Sequence, residues 1–391
     1  MARDAMQERI QRELDSLRDA SQFRMLECIR GVNLSSNDYL GLADDPRLKL
    51  ALTESAERAA AVGATGSRLL SGNSPEWESL ESNFAEFAGT EAALYFGSGY
   101  AANIGLLSSL LKPADVVFSD ALNHASLIDG IRLSRAARVV YPHRNLEFLE
   151  RALSDHTNVT GTRVIVTESV FSMEGNLAPL AELLQLARQY SAALILDEAH
   201  ATGVWGPQGR GLAAQFKAER EVLAIVHTCG KALACAGAFV CGSRVLKDYL
   251  VNRARTFIFS TAMPPYLAGQ IQAALDLARE AEDRRAHLSD ISKTLREALV
   301  TAGLNVGTSA TQIVPVVFGS NDSALHVASE LQRSGFAVRA IRPPTVPSGT
   351  ARIRISLTSK ITHEEIRRLV AVLTRAATGH VAASPATPVH A

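Results

Sequence analysis

A chain of 391 residues, 47% apolar and 20% charged, is longer than one small core organises, so a large domain with a smaller companion is expected. The 40 Lys and Arg residues balance 40 Asp and Glu, and this zero net charge leaves no electrostatic footprint for nucleic acid or for an anionic membrane. The charged opening MARDAMQERIQRELDSL is unlike a secretory leader, and no apolar run reaches the length of a membrane span, so a cytoplasmic protein is expected.

From residue 90 onward, short β-branched runs alternate with helical stretches. The strand candidates are AALYFGS, DVVFSD, ARVVYP, RVIVTES, AALILDE, LAIVHT and GAFVCGS. Between them AANIGLLSSLL, SLIDGIRLSR and LAPLAELLQLARQYS space their apolar residues by three and four, as helices do. The alternation predicts an α/β class with a mostly parallel sheet. Beyond about residue 285 the texture changes to helix, strand, helix, strand, strand, helix: ISKTLREALVTAG, QIVPVVFG, ALHVASELQRSG, FAVRAI, ARIRISLT and THEEIRRLVAVLTRAA. Thr362 and Glu365 open the last helix with capping-box spacing. The expected organisation is an N-terminal helix and arm over 1–45, a large α/β domain over 46–284, a smaller C-terminal α+β domain over 285–380 and a frayed tail over 381–391. Cys28, Cys229, Cys235 and Cys241 lack paired metal-ligand spacing and read as reduced packing thiols.

The chemistry concentrates at the strand ends. Asp197 closes the run AALILDEAH, and Lys231 follows in HTCGKALACAGA among small residues. A lysine amine can form a Schiff base with an aldehyde, and a carboxylate at a ring nitrogen keeps that ring protonated and electron-accepting. Those are the two demands of a pyridoxal phosphate enzyme. Each residue alone also has an ordinary reading, a turn lysine and a helix-capping aspartate. Ligands of open α/β sheets gather beyond the carboxyl ends of strands. Here those ends supply Gly99 and Tyr100, His124, Ser172, Asp197 with His200, and Thr228 before Lys231.

Other readings stay open at this point. The turn Gly97-Ser98-Gly99 either brings backbone N–H groups to a phosphate or is a plain tight turn. His124 either caps a helix or lies against an aromatic cofactor. Asp197, Glu198 and His200 are metal-ligand types crowded on one turn, without a matching distant cluster, and no metal is expected. A dinucleotide fold is disfavoured by the missing G-x-G-x-x-G spacing. In ARIRISL, Arg354 either binds a carboxylate or is a strand-edge arginine paired with a surface acid.

From about residue 10 to 375 the chain resembles the α-oxoamine synthases of the aspartate aminotransferase fold. The resemblance rests on LSSNDYLGL (34–42), GATGSRLLSGN (63–73), SGYAAN (98–103), NHASLIDG (123–130), TESVFSMEGNLAPL (167–180), LDEAHATGVWGPQGRG (196–211), HTCGKALACAGA (227–238), FIFSTAMPP (257–265) and AIRPPTVPSGTARIRISL (340–357). It implies a fold type I pyridoxal phosphate transferase, with Lys231 on the cofactor aldehyde, Asp197 at the ring nitrogen and His124 stacked on the ring. It further implies Ser172 and His200 near the phenolic oxygen, and Gly99, Tyr100 and Thr228 at the phosphate, with Thr261 reaching across a homodimer. Arg354 and Asn37 fall to the amino acid, Arg24 and Thr345 to the acyl substrate. The loop IRPPTVPSGT looks like that of the branch condensing L-alanine with a pimeloyl thioester to 8-amino-7-oxononanoate, CO2 and free thiol in biotin biosynthesis. The alternatives are a sister activity, glycine with acetyl-CoA or serine with palmitoyl-CoA, and a catalytically silent regulatory subunit. Retention of both Lys231 and Asp197 argues against the last.

Overall fold

The computed structural model of the chain describes residues 2–28 and 30–381. Its described residues form two compact units, one of residues 37–172 and 176–287, the other of residues 2–28, 30–36, 173–175 and 288–381. The arm expected over 1–45 therefore divides after Ser36, and the second boundary falls inside the helix Glu282–Thr301. The tail expected over 381–391 lies, beyond Val381, outside the described residues.

The larger unit is built on seven strands: β1 (Ala92–Phe96), β2 (Val116–Asp120), β3 (Ala137–Tyr141), β4 (Arg163–Glu168), β5 (Ala193–Asp197), β6 (Ala224–Thr228) and β7 (Ala238–Gly242). They are the seven runs expected from sequence, in the order β1-β7-β6-β5-β4-β2-β3. All pairings are parallel except those of β7, which runs antiparallel to β1 and β6 on either side. Residues alternate between the two faces of each strand. Leu94, Phe96, Val164, Val166, Ile195, Val226 and Val240 pack with Leu106, Leu107, Leu127 and Leu250 in one cluster. In the opposite phase, Tyr95 pairs with Phe239, whose ring stacks on Phe84 at 3.9 Å, while Trp77 stacks on Tyr95 at 4.3 Å. Burial on both faces explains why these strands read as continuous apolar runs. β3, at the sheet edge, is largely exposed.

In the smaller unit, Ala351–Ser356 is the central strand of a three-stranded antiparallel sheet, between Ala340–Ile341 and Ile313–Gly319. Two helices, Asn321–Arg333 and His363–Val381, belong to the same unit. The capping box forms: Thr362 N–H donates to Glu365 Oε2 at 2.8 Å and Glu365 N–H to Thr362 Oγ1 at 3.2 Å. One expectation is corrected. FAVRAI is not a single strand, because Phe336–Ala337 pairs in parallel with Val32–Asn33 while Ala340–Ile341 joins the three-stranded sheet. Two different partners, far apart in sequence, split one apolar run.

Candidate active site

The site of the larger unit is assembled where the parallel strands end. β1 leaves through Gly97 and Ser98 into the helix Gly99–Leu110, which Ser98 caps by accepting from Ala101 N–H at 3.1 Å. The first-turn N–H groups of Gly99 and Tyr100 have no acceptor within the helix, which makes this end suited to an anion. Thr228, the last residue of β6, stands against it: a Cβ added at Gly99 would come within 3.6 Å of Thr228 Oγ1. The Tyr100 hydroxyl donates to Asp129, so only the backbone of Tyr100 is available to a phosphate.

Asp197, at the end of β5, is 5% exposed. Its Oδ1 accepts from Ala199 N–H at 2.8 Å and its Oδ2 from Asn103 Nδ2 at 2.7 Å. The same Asn103 amide donates to Ser126 Oγ at 2.9 Å, and Ser126 Oγ lies 2.7 Å from His124 Nδ1. His124 caps the helix Ala125–Ser134, Nδ1 accepting from Ser126 N–H at 3.2 Å. That bond needs a lone pair on Nδ1, leaving the proton on Nε2. Partial desolvation by the surrounding protein lowers the pKa of His124, whose side chain is otherwise exposed, with Asp197 pulling it up and Lys231 pushing it down. The imidazole is therefore neutral near pH 7, and it feels both charged residues. His124 is thus a helix cap that also stands within the electrostatic reach of two candidate residues.

Lys231 Nζ lies 2.8 Å from His200 Nε2. His200 Nδ1 lies 2.6 Å from the hydroxyl of the fully buried Tyr39, which donates to Asn37 Oδ1 at 3.1 Å. Asn37, His200 and Lys231, three of the predicted residues, are thereby joined in one chain of polar contacts. Ser172 is half-buried after β4, and Thr261 is exposed in a cavity it shares with Gly97 and Ser98.

Glu198 turns away from Asp197. Its carboxylate accepts from the Leu212 and Ala213 N–H groups, both at 2.7 Å, and burial raises its pKa to about 7 despite those donors. Asp197 and Glu198 thus serve different partners, and among the described residues no group of three or more His, Cys, Asp or Glu is placed to hold a metal ion.

The smaller unit holds Arg24, Thr345 and Arg354. Arg24 Nη2 donates to Thr345 Oγ1 at 3.0 Å, and both line a cavity with Phe23, Met25 and Ile341. Arg354 is 8% exposed on the central strand, which removes the strand-edge reading. Its neighbour two residues earlier, Arg352, donates to Glu174 Oε1 at 3.1 Å and to the Met173 carbonyl at 3.2 Å. Sequence reasoning missed Asn103, Ser126 and Tyr39, although each stands inside a motif that carries the resemblance. Asn and Ser within a helix start have no residue-type signal of their own.

The model of the family described as aminotransferase class I and II matches residues 29–373. A Geobacter sulfurreducens protein named 8-amino-7-oxononanoate synthase is 45% identical over 378 residues, 93% of this chain and 96% of that protein. The chain belongs to the 8-amino-7-oxononanoate synthases of the class I and II aminotransferase family. Among solved structures, the 8-amino-7-oxononanoate synthase of Francisella tularensis is 29% identical, with a TM-score of 0.78 over 90% of this chain and 99% of that one. A serine palmitoyltransferase from S. paucimobilis, solved with bound PLP-myriocin aldimine, is 27% identical, with a TM-score of 0.88 over 95% of this chain and 98% of that one.

The fold is that of the type I pyridoxal phosphate enzymes, and pyridoxal 5'-phosphate is the cofactor. The donor set fits this cofactor: a buried carboxylate stripped of neither of its supporting donors, a neutral imidazole beside it, a lysine amine, and a small-residue helix start against Thr228.

Proposed function

We propose that this chain catalyses the decarboxylative condensation of L-alanine with a pimeloyl thioester to give 8-amino-7-oxononanoate, CO2 and free thiol, as a cytoplasmic homodimer in biotin biosynthesis. The observation that carries this reading is that a buried Asp197 held by Asn103 and Ala199, and a Lys231 bonded to His200, stand at the strand ends of a chain 45% identical to a protein named for that product.

Pyridoxal phosphate, when bound, supplies an electron-accepting ring that stabilises negative charge at the alanine Cα. Lys231 would hold the cofactor covalently at rest, and its amine, once freed, would take the Cα proton of alanine. Asp197, held by two donors, would face the ring nitrogen and favour its protonated form. His124, being neutral, covers the ring without adding charge. His200 and Ser172 serve the phenolic oxygen. The N–H groups of Gly99 and Tyr100, with Thr228 and a Thr261 contributed across the dimer, hold the phosphate.

Arg354 binds the alanine carboxylate through two parallel hydrogen bonds, and Asn37 is assigned to the same amino acid. Arg24 and Thr345 receive the acyl chain. The balance is simple: a bond forms between the alanine Cα and the thioester carbonyl carbon, the thiolate leaves, the carboxylate departs as CO2 and a proton returns to the Cα.

The test incubates the purified enzyme with carboxylate-labelled L-alanine and a panel of acyl thioesters, on coenzyme A and on a carrier protein. Labelled CO2 is expected with pimeloyl donors in preference to acetyl or palmitoyl donors. Preference for glycine with acetyl-CoA, or for serine with palmitoyl-CoA, overturns the substrate reading. Mixing Lys231→Ala chains with Thr261→Ala chains tests the shared site, since heterodimers should regain one intact site; a fully active monomer overturns it.

A further inference from the structure

We propose that Asn103 is a positioning residue that couples the charge of Asp197 to the orientation of His124. The proposal rests on Asp197 being the partner of the cofactor's ring nitrogen. Asn103 is 2% exposed, on the first turns of the helix Gly99–Leu110. Both hydrogens of its amide are engaged, one with Asp197 Oδ2 at 2.7 Å and the other with Ser126 Oγ at 2.9 Å. Ser126, fully buried, in turn presents its hydroxyl at 2.7 Å and its backbone N–H at 3.2 Å to His124 Nδ1. One amide nitrogen thus links the carboxylate and the imidazole.

The other side of that amide carries the argument further. Asn103 Oδ1 is buried and has no hydrogen-bond partner among the described residues. A buried carbonyl without a partner is ordinarily selected against. Turning the amide over would not repair it, because Oδ1 would then face the Asp197 carboxylate and Asp197 would exchange a donor for a repulsion. The charge of Asp197 holds the amide in an orientation that leaves Oδ1 unsatisfied.

The consequence is chemical. A carboxylate accepting from both Asn103 Nδ2 and Ala199 N–H is a weaker base than one accepting from Ala199 alone. Two donors therefore keep the shared proton on the ring nitrogen, where it is needed for the ring to accept electrons. Loss of the Asn103 amide makes Asp197 more basic and draws that proton toward it. Loss also frees the Ser126 hydroxyl, and with it one restraint on the His124 ring.

The experiment loads the wild-type protein and the variants Asn103→Leu, Ser126→Ala and Asp197→Asn with pyridoxal phosphate isotope-labelled at the ring nitrogen, and reads the NMR shift of that nitrogen. In Asn103→Leu the shift should move toward that of a neutral pyridine, by the equivalent of roughly tenfold in the proton distribution. Ser126→Ala, which keeps the bond from Asn103 to Asp197, should leave the shift at its wild-type value. If Asp197→Asn moves the shift and a folded, loaded Asn103→Leu protein does not, the proposal is overturned. If Asp197→Asn itself leaves the shift unmoved, the assignment of Asp197 fails instead. Asn103→Ser, which keeps one donor in a smaller side chain, replaces the leucine variant should that one not fold, and its shift should fall between the two extremes; a wild-type shift there likewise overturns the proposal.

Discussion

Lys231 Nζ stands 2.8 Å from His200 Nε2, and the far nitrogen of that imidazole lies 2.6 Å from the buried hydroxyl of Tyr39. The lysine is thus held by a ring that is itself held. Replacing Lys231 by Ala should slow exchange of the alanine Cα hydrogen with solvent by about 10²–10⁴-fold, the usual contribution of a positioned general base. Deuterium exchange followed by NMR measures it, and exchange at the wild-type rate would remove Lys231 from that role. Tyr39→Phe should destabilise the protein by about 1–3 kcal/mol, because the phenol leaves a buried ring nitrogen without its partner. Its denaturation midpoint is the check.

Arg354 lies buried on the central strand of the three-stranded sheet, where a guanidinium is held in place and can meet a carboxylate with little solvent competition. Arg354→Ala should weaken alanine use by about 2–5 kcal/mol, the range for removing one partner of a buried charged pair. Cofactor loading, read from the visible absorbance of the purified protein, should survive. Unchanged kcat/KM for alanine rejects the role.

Arg24 and Thr345, 321 residues apart, meet in one hydrogen bond of 3.0 Å. Thr345→Val removes its acceptor and should reduce use of the acyl donor by about 0.5–1.5 kcal/mol, leaving alanine binding intact. Since the two side chains share that bond, adding Arg24→Ala should produce less than the sum of the single effects. Strict additivity in steady-state kinetics would mean that the two act on the acyl donor separately.

His227 lies inside β6 with its ring edge-on to those of Phe84 and Phe87, and it is bonded through Nδ1 to Thr202 Oγ1 at 3.0 Å. Burial, and secondarily the charge of Arg210, pushes its pKa down from 6.5 to about 3. Between those values the unfolded chain binds a proton that the folded chain refuses. The stabilising contribution is therefore complete above pH 6.5 and drains away as the pH falls toward 3, at up to about 1.4 kcal/mol per pH unit. The urea midpoint of wild-type protein should fall on acidification through this window, and more shallowly in His227→Gln. Parallel slopes in the two proteins would assign the acid sensitivity to other groups.

Six of the seven strands of the large sheet were legible because a strand buried on both faces is apolar along most of its length and so writes itself into a few consecutive residues; the exposed edge strand β3 was legible from its β-branched Val139 and Val140 instead. The Thr362–Glu365 capping box was legible for a similar reason, as its reciprocal bonds span only three residues. Lys231 and Asp197 were singled out from sequence because few other reasons bring that pair, among small residues and strand ends, into one chain.

The sequence by itself determined the elements and their class, which depend on local period, and it proposed the reactive groups from residue chemistry. Only the tertiary structure decided that β7 runs against its neighbours, that FAVRAI divides between two sheets and that ARIRISL is a buried central strand although its alternating arginines suggest an exposed face. The same holds for Asn103, whose partner Asp197 lies 94 residues away. A backbone's period is repeated every few residues and can be read from a short window. The partner of a buried polar atom is chosen by packing across the whole fold, and no local pattern records it.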